Sequence, residues 1–392
     1  MLVVSEQTVL IRVNGPDRPG INAGLMAVLA RCDASVQDIE QIVIRGQIAL
    51  GVVVVVPAGR DMLREVLLWG WEEGVEVDFD VVSTTPTPST PGIVVTVLGP
   101  NVTPAEFETV TRAIADGGAN IDRIVRLSKY PVMSYELLVR TSEETKLRRS
   151  LLMAAASQPD IDIAVQREGL GRRAKRLVVL DVDSTLIQDE VIELLAAEAG
   201  CADEVRAMTD SAMAGETDFE RSLRDRVRLL AGLDVEAVDR AWANLRYTPG
   251  AATFLRTLRR LGYHVAVVSG GFTAFTDRLR DDLGLDAAYA NELEVQDGRF
   301  TGNVIGRVID RDAKADLLRA IAEDYEIPIE QTVAVGDGAN DLAMLEAAGL
   351  GIAFNGKPVV TAAADTALTV PYLDAVLFFL GIRREDIEAA DA

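Results

Sequence analysis

The chain has 392 residues, 49% of them hydrophobic and 26% charged, with a formal net charge of −22. That apolar content over this length builds several folded cores and not a disordered chain, and an acidic chain without a Lys/Arg-dense stripe is a poor partner for nucleic acid or an anionic membrane, so neither is expected. A single histidine, His264, excludes a multi-histidine metal site and leaves acid–base work to carboxylates, while two distant cysteines, Cys32 and Cys201, give no disulfide framework and fit a reducing cytoplasm.

No basic region precedes a long apolar stretch at the N-terminus, so no signal peptide is expected. The apolar run Val52–Val56 has the length of a strand and is too short to span a bilayer. Residues 8–14, 20–31, 35–45, 47–56, 61–72 and 75–82 read as strand, helix, strand, strand, helix, strand, from β-branched runs alternating with segments of helical spacing. Residues 83–91, Ser-Thr-Thr-Pro-Thr-Pro-Ser-Thr-Pro, read as a semi-rigid linker. The pattern then repeats over 93–98, 103–116, 120–128, 132–140, 144–157 and 161–166. Val9–Asp17 aligns with Ile93–Asn101 at an offset of 84, and Ala34–Ile39 with Ala119–Ile124 at an offset of 85. This order is the split βαβ, ferredoxin-like one. Two such units ahead of an enzyme-like segment, the first with the turn Gly15-Pro-Asp-Arg-Pro-Gly20, resemble ACT domains over 1–82 and 92–166. The second copy keeps Gly99-Pro100 but has Asn101-Val102-Thr103 in place of Asp-Arg-Pro.

A short basic linker, 167–176, leads into a third unit, 177–392. Its apolar strands Leu177–Leu180, Val265–Ser269, Thr332–Gly336 and Gly351–Phe354 alternate with helical segments, which indicates a doubly wound parallel sheet, an α/β fold. Residues 188–248, rich in Ala, Leu, Glu and Arg, read as an inserted helical cap.

The chemistry concentrates at strand ends. Leu177–Leu180 runs into Asp181-Val-Asp183-Ser-Thr185. One carboxylate there can attack phosphorus, and a second nearby can protonate the leaving oxygen and later deprotonate water; the same residue types also cap helices. Ser269-Gly270-Gly271 offers a hydroxyl and backbone N–H groups to phosphate oxygens, or is an ordinary strand-to-helix turn. Lys314 can offset charge between nucleophile and phosphate, or is a solvated helix lysine. Asp337-Gly-Ala-Asn340-Asp341 can serve Mg²⁺, which prefers oxygen ligands, or is an Asp-Gly turn.

The four features in this order resemble the haloacid dehalogenase superfamily of phosphatases over about 176–380. That resemblance implies Asp181 as nucleophile and Asp183 as general acid/base. It implies phosphate binding by Ser269, Gly270, Gly271, Lys314 and Asn340, and Mg²⁺ held by Asp181, the Asp183 main-chain carbonyl and Asp337, with Asp341 behind the metal site. Asp181–Glu190, Ala212–Gly215, Phe219–Val227 and Val268–Phe272 further resemble the phosphoserine phosphatase branch. This implies Glu190 for the substrate ammonium, Arg226 for its carboxylate, and Met213 and Phe219 shielding the site; spacing alone favours solvated helix charges for Glu190 and Arg226 and core packing for Met213 and Phe219. Cys201, His264 and Trp69-Gly-Trp71 read as structural. The resulting expectation is a cytoplasmic, Mg²⁺-dependent hydrolysis of phosphoserine, in a homodimer with an amino-acid effector at the ACT-like units. A phosphatase for another small phosphomonoester such as phosphohomoserine, or an amino-acid sensor with an inactive phosphatase unit, are the alternatives.

Overall fold

The structure, a computed structural model, describes residues 7–57, 61–82, 92–213 and 219–391. The stretch 83–91, expected as a linker, lies outside the described residues. The chain divides into two compact units, Met1–Ser89 and Thr90–Ala392.

The first unit runs β1(Gln7–Pro16), α1(Ile21–Arg31), β2(Ser35–Ile44), β3(Gln47–Val56), α2(Met62–Glu73) and β4(Glu76–Val81). Its strands form one antiparallel sheet in the order β2-β3-β1-β4. Alternate residues of β1 and β3, Val9, Ile11, Val13, Leu50, Val52 and Val54, turn toward Leu25 and Leu29 of α1 and Val66 of α2, so one sheet face carries the core.

The second unit opens with the repeat: β5(Gly92–Gly99), α3(Pro104–Asp116), β6(Asn120–Ser128), β7(Met133–Arg140), α4(Glu144–Ser157) and β8(Asp162–Arg167), in the sheet order β6-β7-β5-β8. The two copies start their first helix differently. Gly20 begins α1 in the left-handed conformation without a side-chain cap, whereas Thr103 and Glu106 close a capping box on α3. The strands β1 and β5 also differ: β1 alternates in burial, while β5 is buried at every position. The second face of the β5 sheet is covered by the following unit. Asp162 accepts from Thr369 N–H at 2.8 Å, and Gln166 Nε2 donates to the Phe379 carbonyl at 2.9 Å. The stretch 167–176, expected as a linker, is packed here. It holds a short helix α5(Leu170–Arg173), and buried Lys175 donates to the Glu330 carbonyl at 2.5 Å.

The remainder runs β9(Leu177–Leu180), α6(Val191–Ala199), α7(Ala202–Met213), α8(Phe219–Arg228), α9(Ala237–Trp242), α10(Ala251–Arg260), β10(His264–Phe272), α11(Thr273–Leu283), β11(Ala287–Gln296), β12(Arg299–Ile305), α12(Arg311–Asp324), β13(Thr332–Gly336), α13(Leu342–Ala347), β14(Gly351–Phe354), α14(Pro358–Ala363), β15(Thr366–Leu368), α15(Val376–Phe379) and α16(Arg384–Asp391). The seven-stranded sheet has the order β12-β11-β10-β9-β13-β14-β15, parallel except for β12, which pairs antiparallel with β11. Strand β9 lies at the centre, between β10 and β13. Its Val178 and Leu180 enter one core and its Leu177 and Val179 the other, which is why the strand is apolar throughout and not alternating. Helices α6 to α9 occupy the expected cap region, and Gly232 N–H there bonds the Phe300 carbonyl at the start of β12 at 2.8 Å. Among the described residues no helix is long and apolar enough to cross a membrane.

Candidate active site

The site forms where β9, β10 and β13 end. Strand β9 stops at Leu180, and Asp181 is still extended, with φ −69° and ψ 163°. Residues 182–186 then turn sharply, with Ser184 at φ 57°. A straight strand would carry both aspartates on one face by alternation; here the turn, and not alternation, brings Asp181 and Asp183 to one cavity. Asp181 Oδ1 accepts from Val182 N–H at 2.7 Å and lies 2.8 Å from Lys314 Nζ. Lys314, fully buried on α12, also lies 2.7 Å from Asp341 Oδ1. Asp341 Oδ2 in turn accepts from Asp337 N–H at 3.1 Å and Gly338 N–H at 2.9 Å. Both Asp341 oxygens are thus committed, which fixes the Asp337 turn behind β13 and holds Lys314 against Asp181.

Asp183 is held from two sides. Val191 N–H, at the start of α6, donates to Oδ1 at 2.7 Å, and Ser269 Oγ donates to Oδ2 at 3.1 Å. Ser269 Oγ accepts from Gly271 N–H at 2.8 Å, so the end of β10 orients Asp183 directly. Close approach demands glycine at 271 and leaves a Cβ at 270 only a tight fit. A Cβ on Gly271 would stand 2.7 Å from Val191 Cγ2 and 2.8 Å from Asp183 Oδ2, and one on Gly270 would stand 3.0 Å from the Phe219 ring.

Glu190, just ahead of α6, accepts from Ser184 Oγ at 2.9 Å. Arg226 on α8 donates from Nη1 to Thr209 Oγ1 at 3.0 Å and from Nε to the Ser222 carbonyl at 3.2 Å. It is only 5% exposed, yet among the described residues it has no ion-pair partner within 4.0 Å.

One cavity is lined by Asp181, Asp183, Glu190, Phe219, Arg226, Gly270, Gly271, Asp337 and Asn340. Ser269, Lys314 and Asp341, expected beside them, are fully buried and reach it through Asp183 and Asp181. The Met213 side chain lies outside the described residues. Sequence reasoning missed Thr185, whose Oγ1 donates to Asp337 Oδ1 at 3.1 Å, Thr209 beneath Arg226, and Lys357, which also lines the cavity. Thr185 was within reach, as part of the quoted Asp-x-Asp-Ser-Thr run; Thr209 and Lys357 sit on segments with no local signal.

Negative charge exceeds positive here. Burial, then repulsion from Asp341, push Asp181 well above the usual carboxylate range against the pull of Lys314. Burial, then Asp341, raise Asp337 to about 7. Burial raises Asp183, opposed by the Val191 and Ser269 hydrogen bonds. Burial lowers the Lys314 pKa, but Asp181 and Asp341 outweigh it and the pKa is raised, so the ammonium stays charged. The carboxylates of Asp181, Asp337 and Asp341 offer oxygens within 4.8 Å of one another. An all-oxygen set with more negative charge than one lysine offsets fits a divalent cation.

The sequence matches the family model of haloacid dehalogenase-like hydrolases over residues 178–346 and ACT-domain models over 7–80 and 91–166. It is 53% identical to a phosphoserine phosphatase of Streptomyces coelicolor over 388 residues, 98% of this chain and 94% of that one. It is 47% identical to phosphoserine phosphatase SerB2 of Mycobacterium tuberculosis, over 98% of this chain and 96% of that one. The chain belongs to the phosphoserine phosphatase family. Its catalytic part is also similar to solved members. A substrate-bound phosphoserine phosphatase complex superposes with a TM-score of 0.51 at 44% identity, covering 52% of this chain and 98% of that one. A phospho-aspartyl intermediate analogue of phosphoserine phosphatase superposes with a TM-score of 0.51 at 45% identity over the same shares. The phosphoserine phosphatase assignment agrees with the cavity's composition, in which Asp181, Asp183 and Asp337 share one lining with Glu190 and Arg226.

Proposed function

We propose that this chain hydrolyses O-phospho-L-serine to L-serine and phosphate, the last step of serine biosynthesis, in a catalytic unit spanning 177–392. The observation that carries the substrate assignment is Arg226: a buried guanidinium lining the cavity that holds Asp181, near the charges of Glu190 and Asp183 but with no carboxylate within ion-pair distance among the described residues. An unpaired buried charge is costly, and a substrate carboxylate would satisfy it bidentately. Glu190 suits the α-ammonium. Burial, then the charge of Asp183, raise its pKa to about 8, and an arriving ammonium would draw it back into the carboxylate form.

Asp181 attacks phosphorus through a carboxylate oxygen, forming the aspartyl phosphate as the ester P–O bond breaks. Asp183, whose raised pKa favours the protonated form, gives its proton to the departing serine oxygen. The resulting Asp183 carboxylate then takes a proton from water as that water attacks the aspartyl phosphate, releasing phosphate and restoring both residues. Lys314 holds Asp181 in place and offsets charge, while Ser269, Gly270, Gly271 and Asn340 receive the phosphate oxygens. Asp181, Asp337 and the Asp183 main-chain carbonyl would hold Mg²⁺, with Asp341 behind them, and the cation would supply charge compensation between phosphate and the carboxylates. Phe219, on the cavity wall, shields it from water.

The ACT domains, spanning 1–82 and 92–166, serve regulation. The first receives a small amino acid, the product serine fitting best, at the Gly15–Gly20 turn, where α1 begins. A homodimer is supported by edge strand β2, exposed along its length with Val36, Ile39, Ile42, Val43 and Ile44 uncovered. The kinetic test is a comparison of phosphoserine, phosphothreonine and an aryl phosphate. Preference for phosphoserine supports the reading, and equal kcat/KM on all three contradicts it.

A further inference from the structure

A second cavity, of about 310 Å³, lies between the outer face of the β5–β8 sheet and the segment that follows α15. Val94, Leu127 and Leu138 give it an apolar floor, and Leu380 and Gly381 close the far side. None of its lining residues belongs to the catalytic cavity.

Its polar lining is unbalanced. Arg172 is 9% exposed, and its Nη2 pairs with Glu136 Oε2 at 2.6 Å, while its Nε is buried with no hydrogen-bond partner. A buried donor without a partner is rare and costly. Arg123 and Arg383 also line the cavity, and among the described residues neither guanidinium has an ion-pair or hydrogen-bond partner. The two acids of the lining are already engaged, Glu136 by Arg172 and Glu168 by Arg140 Nη1 at 2.9 Å. In a protein of net charge −22, this leaves a local surplus of positive charge facing an apolar floor.

We propose that this cavity binds a small organic oxyanion. A carboxylate or phosphate-type head takes the free arginine donors, for which the planar guanidinium fork is suited, and a short apolar body rests on Val94 and Leu138. The ligand ties the second ACT domain to the segment after α15.

Hydrogen–deuterium exchange of the full chain with isovalerate and with isobutylphosphonate tests this. The two probes share a branched body and differ in the head, so the tighter one identifies the head chemistry. Protection is expected in peptides covering 166–173 and 376–384. Titration of that protection in Arg123→Ser/Arg383→Ser, which removes two exposed unpaired side chains and spares the Arg172–Glu136 pair, is expected to give at least about tenfold weaker binding. Protection absent with both probes, protection confined to peptides of the catalytic cavity, or unchanged affinity in the double variant overturns the proposal.

Discussion

Lys314 Nζ lies 2.8 Å from Asp181 Oδ1, and the whole lysine side chain is buried. Such a pair holds the attacking residue in one orientation, and its energetic signature is strong because neither charge can turn to water. Removing one partner of a buried ion pair costs about 3–5 kcal/mol. Lys314→Met is therefore expected to abolish turnover and to lower stability by that order. Lys314→Met combined with Asp341→Asn is expected to recover part of the stability and none of the activity. Denaturant unfolding beside kinetics checks both, and unchanged unfolding of the single variant would contradict the role assigned to the pair.

Asp183→Asn is expected to slow hydrolysis by about 10²–10⁴-fold, the usual worth of a positioned acid–base group. Its amide still accepts from Val191 N–H, so thermal unfolding is expected to move little. Pre-steady-state kinetics should show slowed formation of the phosphoenzyme, and wild-type rates would remove Asp183 from the mechanism.

Arg226→Ala is expected to weaken phosphoserine turnover by about 1.5–3 kcal/mol, one charge-assisted contact, and to leave an aryl phosphate without a carboxylate nearly unaffected. Thr209→Val, which removes the hydroxyl accepting from Arg226 Nη1, is expected to raise KM for phosphoserine about two- to tenfold with little change in kcat. Equal losses on both substrates would make Arg226 a structural residue.

Most of the three-domain order and the catalytic carboxylates were legible because their signals are local. The β-branched strands, the repeat offset and the polar residues at the ends of β9, β10 and β13 all lie within short windows. What sequence reading missed depends on pairings across long separations. Strands β11 and β12 carry mixed polar and apolar residues because they form an antiparallel arm at the sheet's edge, so no apolar run marks them. Arg172 and Lys175 read as a basic linker because nothing nearby in sequence shows that Glu136 and the Glu330 carbonyl will bury them.

Asp162, where β8 meets the loop after β15, gives a pH test of that packing. Burial raises its pKa to about 6, against hydrogen bonds from Thr369. Between the ordinary carboxylate value and 6 the folded state binds the proton more tightly than the unfolded state, so this residue's contribution falls as pH rises through that window. Asp162→Asn can keep the bond from Thr369 N–H without a buried charge. Its melting temperature relative to wild type is expected to rise from pH 4 to pH 7.5, and a constant difference would show that Asp162 ionises freely.

The central claim is a phosphoryl group carried on Asp181. Acid quench of a single turnover with phosphate-labelled phosphoserine and Mg²⁺, followed by peptide mapping, tests it most directly. The account predicts label on the peptide containing Asp181, released by hydroxylamine as an acyl phosphate is, and absent from Asp181→Asn, which should also have lost turnover. Label on another residue, or full activity in Asp181→Asn, would contradict it.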